Sequence, residues 1–241
     1  MKGEGIGIMM LQIGQRELEE RDMRAFNCIL QKFLILLVVL GSSLLPKDVV
    51  AQDSKPLQIV GLGDSLMAGY QLETSESYTA QLQKALEAKG LNVIITNAAV
   101  SGDTSTGGRE RAQWSVPDET DGVILELGAN DALRGISPDE TRKNLEAMIE
   151  GFQARNIPVM LIGILAPPNM GGDYAEKFNA IYQFLADKYQ LVLYPFFLDG
   201  VVLDDTLKLD DGMHPNAKGV GVMVEKSLDT VLSFTQQISA D

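Results

Sequence analysis

Five short apolar runs, each followed by a stretch of helical character, constrain this chain more than any other feature. They occupy residues 57–62, 92–100, 122–127, 158–165 and 191–194. Their Val, Ile and Leu are close to continuous rather than alternating, as in strands covered on both faces. Between them lie segments of helical period. Tyr78, Leu82, Ala85 and Leu86 recur over 77–89, and Phe178, Ile181, Tyr182 and Leu185 over 174–189. Ser137-Pro138-Asp139-Glu140 opens a helix to about residue 155, with Ser137 as N-cap and Pro138 in the first position. Residues 104–114 also read as helix, although Gly107-Gly108 opposes it. A last helix is expected over 217–234, and 167–172 as a loop. Strands alternating with helices imply an α/β fold on a parallel sheet. No internal repeat or low-complexity linker interrupts the pattern, so residues 52–241 read as one domain.

The first 51 residues differ from the rest. Residues 33–45 are almost wholly apolar, Arg24 and Lys32 precede them, and Val49-Val50-Ala51 supplies small residues before Gln52. This is the layout of a secretory signal peptide cut after Ala51. The apolar run is shorter than the roughly 20 residues that a membrane span requires. Counted from Met23 through Ala51 the leader is 29 residues, within the usual range of about 15–30. The acidic residues 1–22 are unlike a basic n-region, so Met23 is the expected start. Cys28, the only cysteine, falls in the leader, which predicts a mature chain without disulfide or thiolate metal site.

The formal net charge is −13, and residues 52–241 keep all of it because the leader's six acids and six bases cancel. Such a balance argues against nucleic acid as a partner and against docking on anionic membranes. Gly61-Leu62-Gly63-Asp64-Ser65-Leu66 starts like a dinucleotide fingerprint but has Leu66 in place of the third glycine. One histidine and no mature cysteine disfavour a zinc site. Asp199, Asp204, Asp205 and Asp210 lack the spacing of a calcium loop.

The polar residues of interest sit just past the apolar runs. Ser65 follows the first run, in a glycine-containing turn at a strand's carboxyl end, where open α/β sheets place their ligands. The long amphipathic segment after it is expected to be a helix. Ser101-Gly102-Asp103 follows the second run, and Gly102 can offer its backbone N–H to a developing oxyanion. Asn130 follows the third run and can supply a side-chain N–H to the same charge. His214 is the only histidine, and Asp211 lies three residues before it across a turn that lets its carboxylate reach the imidazole. Each also has a bland reading as a turn, cap or surface residue. Their common placement at strand ends lets one crevice collect them.

At these residues the chain resembles the SGNH, or GDSL, hydrolases. Gly63-Asp64-Ser65-Leu66 matches the GDSL motif, and Ser65, Gly102, Asn130 and His214 fall in order into the four blocks of that family. Asp211 matches the aspartate of its Asp-x-x-His block. The nearer similarity is to the bacterial arylesterase, lysophospholipase and acyl-CoA thioesterase I branch, typically periplasmic. It spans residues 57–232, with Ala129 a departure where close relatives often have glycine. The resemblance implies a three-layer α/β/α, flavodoxin-like fold with a five-stranded parallel sheet. It implies ester or thioester hydrolysis through an acyl-serine on Ser65, with His214 as base and Asp211 orienting it. The oxyanion hole would be the N–H groups of Ser65 and Gly102 and the side chain of Asn130. No cofactor or metal is implied. The expected partner is a small-molecule or lipid acyl ester, met by a monomer that is periplasmic or secreted and is not inserted in a membrane once the signal is removed.

Two other readings use the same fold: a carbohydrate O-acetyl esterase, and a secreted binding protein with a dead site. Met67, Leu133, Ile164, Leu165, Pro167, Pro168 and Met170 are candidates for an acyl pocket.

Overall fold

The computed structural model describes residues 55–240. The expectations for the leader, including the start at Met23, Cys28 and the cut after Ala51, lie outside the described residues.

The apolar runs form five strands: β1 (Leu57–Leu62), β2 (Val93–Asn97), β3 (Gly122–Glu126), β4 (Val159–Ile162) and β5 (Val192–Tyr194). All neighbours are parallel, in the order β2-β1-β3-β4-β5. That order is the flavodoxin-like one, with its switch point between β1 and β3. The central strand β3 is buried along its whole length, and so is β4. At the edge strand β2, Val93 and Ile95 are buried while Ile94 and Thr96 are exposed, so the expectation of cover on both faces fails there.

Among the described residues seven helices complete the layers: α1 (Ser65–Ala68), α2 (Tyr78–Ala88), α3 (Ser105–Ser115), α4 (Ala129–Arg134), α5 (Pro138–Gln153), α6 (Gly172–Tyr189) and α7 (Ala217–Ala240). On one side α2 packs with α7; on the other, α5 packs with both α3 and α6. The result is an α/β/α sandwich. Its largest buried side chains include Tyr78, Phe152, Phe178, Phe197 and Phe234.

Several boundaries depart from the sequence reading. The amphipathic helix expected over 77–89 is α2, but it does not follow Ser65 directly: α1 is a single turn, stopped by Gly69 in the left-handed region at φ 79°. A 3-10 turn at Thr74–Glu76 then leads to α2, capped by the Ser77 hydroxyl. β2 stops at Asn97, whose side-chain oxygen accepts the Ala99 N–H and turns the chain out of the sheet. α4 was not expected; its six residues are too few to show a period. Residues 168–170, expected as loop, form a 3-10 turn. α7 runs past Phe234 to residue 240, because Ile238 continues its apolar face. Ser137 does precede α5, but its hydroxyl makes no capping bond. Gly108 does not break α3: a Cβ there would meet Leu127 Cδ1 at 2.2 Å, so glycine lets the helix lie close to the end of β3.

Candidate active site

Ser65 is the first residue of α1, three positions past the end of β1. Asp64 holds the turn by accepting the Leu66 N–H at 3.0 Å. Gly63 is required by space, since a Cβ there would lie 2.7 Å from Glu126 Oε2. Arg111 of α3 fixes the same turn from beneath. Its Nη2 donates to the Gly63 carbonyl at 3.0 Å, its Nε pairs with Asp103 at 2.6 Å, and its Nη1 reaches the Ala98 carbonyl. One buried guanidinium therefore ties the nucleophile turn to the loop after β2.

His214 enters from the loop before α7. Its Nε2 lies 2.9 Å from Ser65 Oγ, and its Nδ1 lies 2.6 Å from Asp211 Oδ2. The other carboxylate oxygen of Asp211 accepts the backbone N–H groups of Met213 and His214, each at 2.9 Å. The backbone N–H of His214, then that of Met213, then the imidazole hold the Asp211 carboxyl down at about 2. With Asp211 ionised, Nδ1 carries the ring proton and Nε2 is free to accept the Ser65 proton. The loop is fastened at its base, where Leu209 N–H donates to the His214 carbonyl at 2.8 Å and Asn216 Nδ2 donates to the Thr206 carbonyl at 2.9 Å. The Tyr70 ring packs on the imidazole, with centroids 4.4 Å apart.

Gly102 lies in the loop after β2 at φ 88°, a left-handed conformation that favours glycine. Arg134 Nη2 donates to its carbonyl at 2.9 Å. Among the described residues the backbone N–H groups of Ser65 and Gly102 are in no turn, cap or side-chain hydrogen bond. Asn130 is the second residue of α4, and its Nδ2 lies 3.2 Å from Asp64 Oδ2. Asp131, fully buried, joins the two loops. It accepts the Ser105 N–H at 2.7 Å, the Ser105 hydroxyl, and the Thr141 hydroxyl at 2.9 Å. The structure thus brings Ser65, Asn130 and His214 to one crevice at the carboxyl edge of the sheet, with Asp211 behind His214, while Gly102 sits in the loop after β2 and does not line the cavity.

A cavity of about 440 Å³ opens beside Ser65 and His214. Of the sequence candidates, Leu133, Ile164, Leu165, Pro167 and Pro168 line it. Met67 does not: it is fully buried in the core. Met170 does not either, and lies against Gly135 instead. Phe196, Leu198, Val201, Val202 and Met213 complete the apolar wall, with the stem of Lys208. Sequence reasoning missed these, along with Tyr70, Arg111 and Asp131. The carboxylates weighed for calcium are dispersed: Asp199 pairs with Lys226, Asp205 with Lys208, and Asp204 caps Thr206. Among the described residues no helix is long and apolar enough to cross a membrane.

Residues 62–222 match the model of the GDSL-like lipase/acylhydrolase family. The chain belongs to that family. It is 37% identical over 178 residues to esterase TesA of Pseudomonas aeruginosa, across 73% of this chain and 89% of that one. The arylesterase of Vibrio mimicus is 40% identical over 159 residues, covering 66% and 80% of the two chains. Among solved structures, AlinE4, described as an SGNH-hydrolase family esterase, matches with a TM-score of 0.64 and 44% identity over 74% of this chain and 96% of its own. As a member of the GDSL-like family with relatives so named, the chain is a carboxylic ester hydrolase.

Proposed function

We propose that this GDSL-family hydrolase cleaves fatty acyl esters or thioesters through an acyl-Ser65 intermediate, with aryl esters, lysophospholipids or acyl thioesters as the substrate class. Ser65 Oγ attacks the acyl carbonyl while its proton passes to His214 Nε2. Asp211 stabilises the imidazolium that results. The carbonyl oxygen, now negative, lies within the reach of the Ser65 and Gly102 backbone N–H groups and the Asn130 amide. His214 then returns its proton to the departing oxygen or sulfur, and a water activated by the same imidazole releases the fatty acid.

The observation that carries the acyl preference is the cavity. Its 440 Å³ falls among ligand pockets of about 300–1,000 Å³, and beyond the catalytic groups its wall is mostly apolar, with Lys208 a charged member. An acetyl group would leave most of it unfilled. The test is a series of p-nitrophenyl esters of increasing chain length, beside acyl-CoA, lysophospholipid and acetylated-sugar substrates. The reading expects kcat/KM to rise from acetyl into medium chains. A maximum at acetyl with turnover of acetylated sugar would favour the O-acetyl esterase instead, and no turnover of any ester the dead-site binding protein.

In this reading residues 52–241 form the mature domain, which works in the periplasm or outside the cell. The basic-then-apolar leader supports that placement. Intact mass of exported protein is expected to begin at Gln52, and retention of residues 23–51 would contradict it.

A further inference from the structure

Two carboxyl groups lie under the nucleophile turn, and the reaction above does not use them. Asp64 and Glu126, at the ends of β1 and β3, are both fully buried. The Asp64 backbone N–H donates to Glu126 Oε2 at 3.2 Å, while Glu126 Oε1 has no hydrogen-bond partner. The Asp64 carboxylate, in contrast, accepts two donors: Leu66 N–H on Oδ1 at 3.0 Å and Asn130 Nδ2 on Oδ2 at 3.2 Å. Two adjacent charges are not sustained in a dry site. The pair of donors places the one charge on Asp64, and the bare oxygen marks Glu126 as the neutral acid. Burial pushes both carboxyls up, and Asp64 pushes Glu126 up further.

The Asn130 amide carries two N–H bonds on one nitrogen. Asp64 takes one of them. Because the group is planar, fixing the first bond fixes the direction of the second, which is the one left for substrate.

We propose that Asp64, backed by a neutral Glu126, is a positioning residue that holds the Asn130 carboxamide with its free N–H toward the oxyanion formed on Ser65. This inference rests on the ester-hydrolase reading of the site. Asp64 touches no reacting atom. Its effect runs through Asn130, and that separates it from a residue that merely caps α1.

Asp64→Asn tests the difference. Leu66 and Asn130 bond to different oxygens of Asp64, and an amide sets an oxygen at one of those positions and an NH2 donor at the other, so it can serve Leu66 or Asn130 in place but not both. Steady-state kinetics on one p-nitrophenyl ester would compare the parent, Asp64→Asn, Asn130→Ala and the double variant. The expected result is a loss of about 10–100-fold in kcat for Asp64→Asn, with KM within about threefold, since a misaimed donor costs less than a deleted one. In the Asn130→Ala background the same substitution should cost less than about threefold, because no amide remains to position. Asp64→Ser is the second variant should Asp64→Asn not fold: it keeps a cap for Leu66 but cannot reach Asn130. A loss that is equally large with and without Asn130 overturns the inference while leaving ester hydrolysis standing. A parent that hydrolyses no ester overturns the reading of the site and this inference with it. The neutral acid is read separately, by an infrared carboxylic-acid band at neutral pH that Glu126→Gln removes. Absence of that band in the parent overturns the assignment of the charge.

Discussion

The crevice has two unlike halves. Over β1, β2 and β3 it is polar and held by hydrogen bonds between residues far apart in the chain: Arg111 donates to Gly63, Ser105 to Asp131 and Asn130 to Asp64. Over β4 and β5 it is an apolar wall of residues 164–168 with Phe196, Leu198, Val201 and Val202, which Ala132 and Leu133 of α4 extend toward β3. The first half fixes where charge develops, which every ester substrate shares. In the proposed reading the second meets the acyl chain, which differs between substrates. Chemistry and selectivity therefore rest on separate loops, and substitutions in the two halves should leave different kinetic signatures.

The largest effect is expected at Asp211. Asp211→Asn should lower kcat by up to about 10⁴ for short and long esters alike, because the imidazole loses the partner that sets its tautomer. The sign of the pH dependence follows from the same carboxylate. Its pKa is held down at about 2, so it is ionised above that value and loses its charge only as pH falls through it. A fall of kcat/KM between pH 9 and 4 is therefore not the protonation of Asp211.

Asn130→Ala comes next, with a loss in kcat of roughly 10²–10³ and little change in KM, again independent of chain length. A loss confined to long esters would break the division between the halves. The smallest effect belongs to the apolar half. Ala166 lines the cavity, and Ala166→Leu fills part of it. That variant should lower kcat/KM for the longest good ester by about tenfold and leave the acetyl ester within about twofold. An equal loss on both would show that the wall and the polar half are not separable.

The two halves were also unequally legible in the sequence. The strands were readable because buried parallel strands are continuous apolar runs, and the sheet has the expected five. The Asp211–His214 pairing was readable because it is local, spanning three residues and one glycine turn. Gly102 and Asn130 could be nominated from their places after strands. Asp64 with Glu126 could not be paired, because they are 62 residues apart and meet only when β1 lies beside β3. Arg111 was not nominated, because nothing local sets it apart from the other charged residues of its helix. The pocket wall at Phe196, Leu198, Val201 and Val202 was invisible for another reason: it lies in loop, where apolar residues follow no period. Met67 was misjudged because its place after Ser65 suggested the crevice, whereas the single turn of α1 points it into the core.

The central claim is that Ser65 is an activated nucleophile and His214 its base. Labelling with a p-nitrophenyl alkylphosphonate, followed by intact-mass and peptide mass measurement, tests it most directly, because only an activated hydroxyl reacts at an appreciable rate. The account predicts one adduct per chain, on the peptide containing Ser65, with p-nitrophenol released in equal amount. It predicts none in Ser65→Ala, and labelling slowed by at least about 10³ in His214→Ala. An adduct on another residue, or a His214→Ala chain labelled at the parent rate, would contradict it.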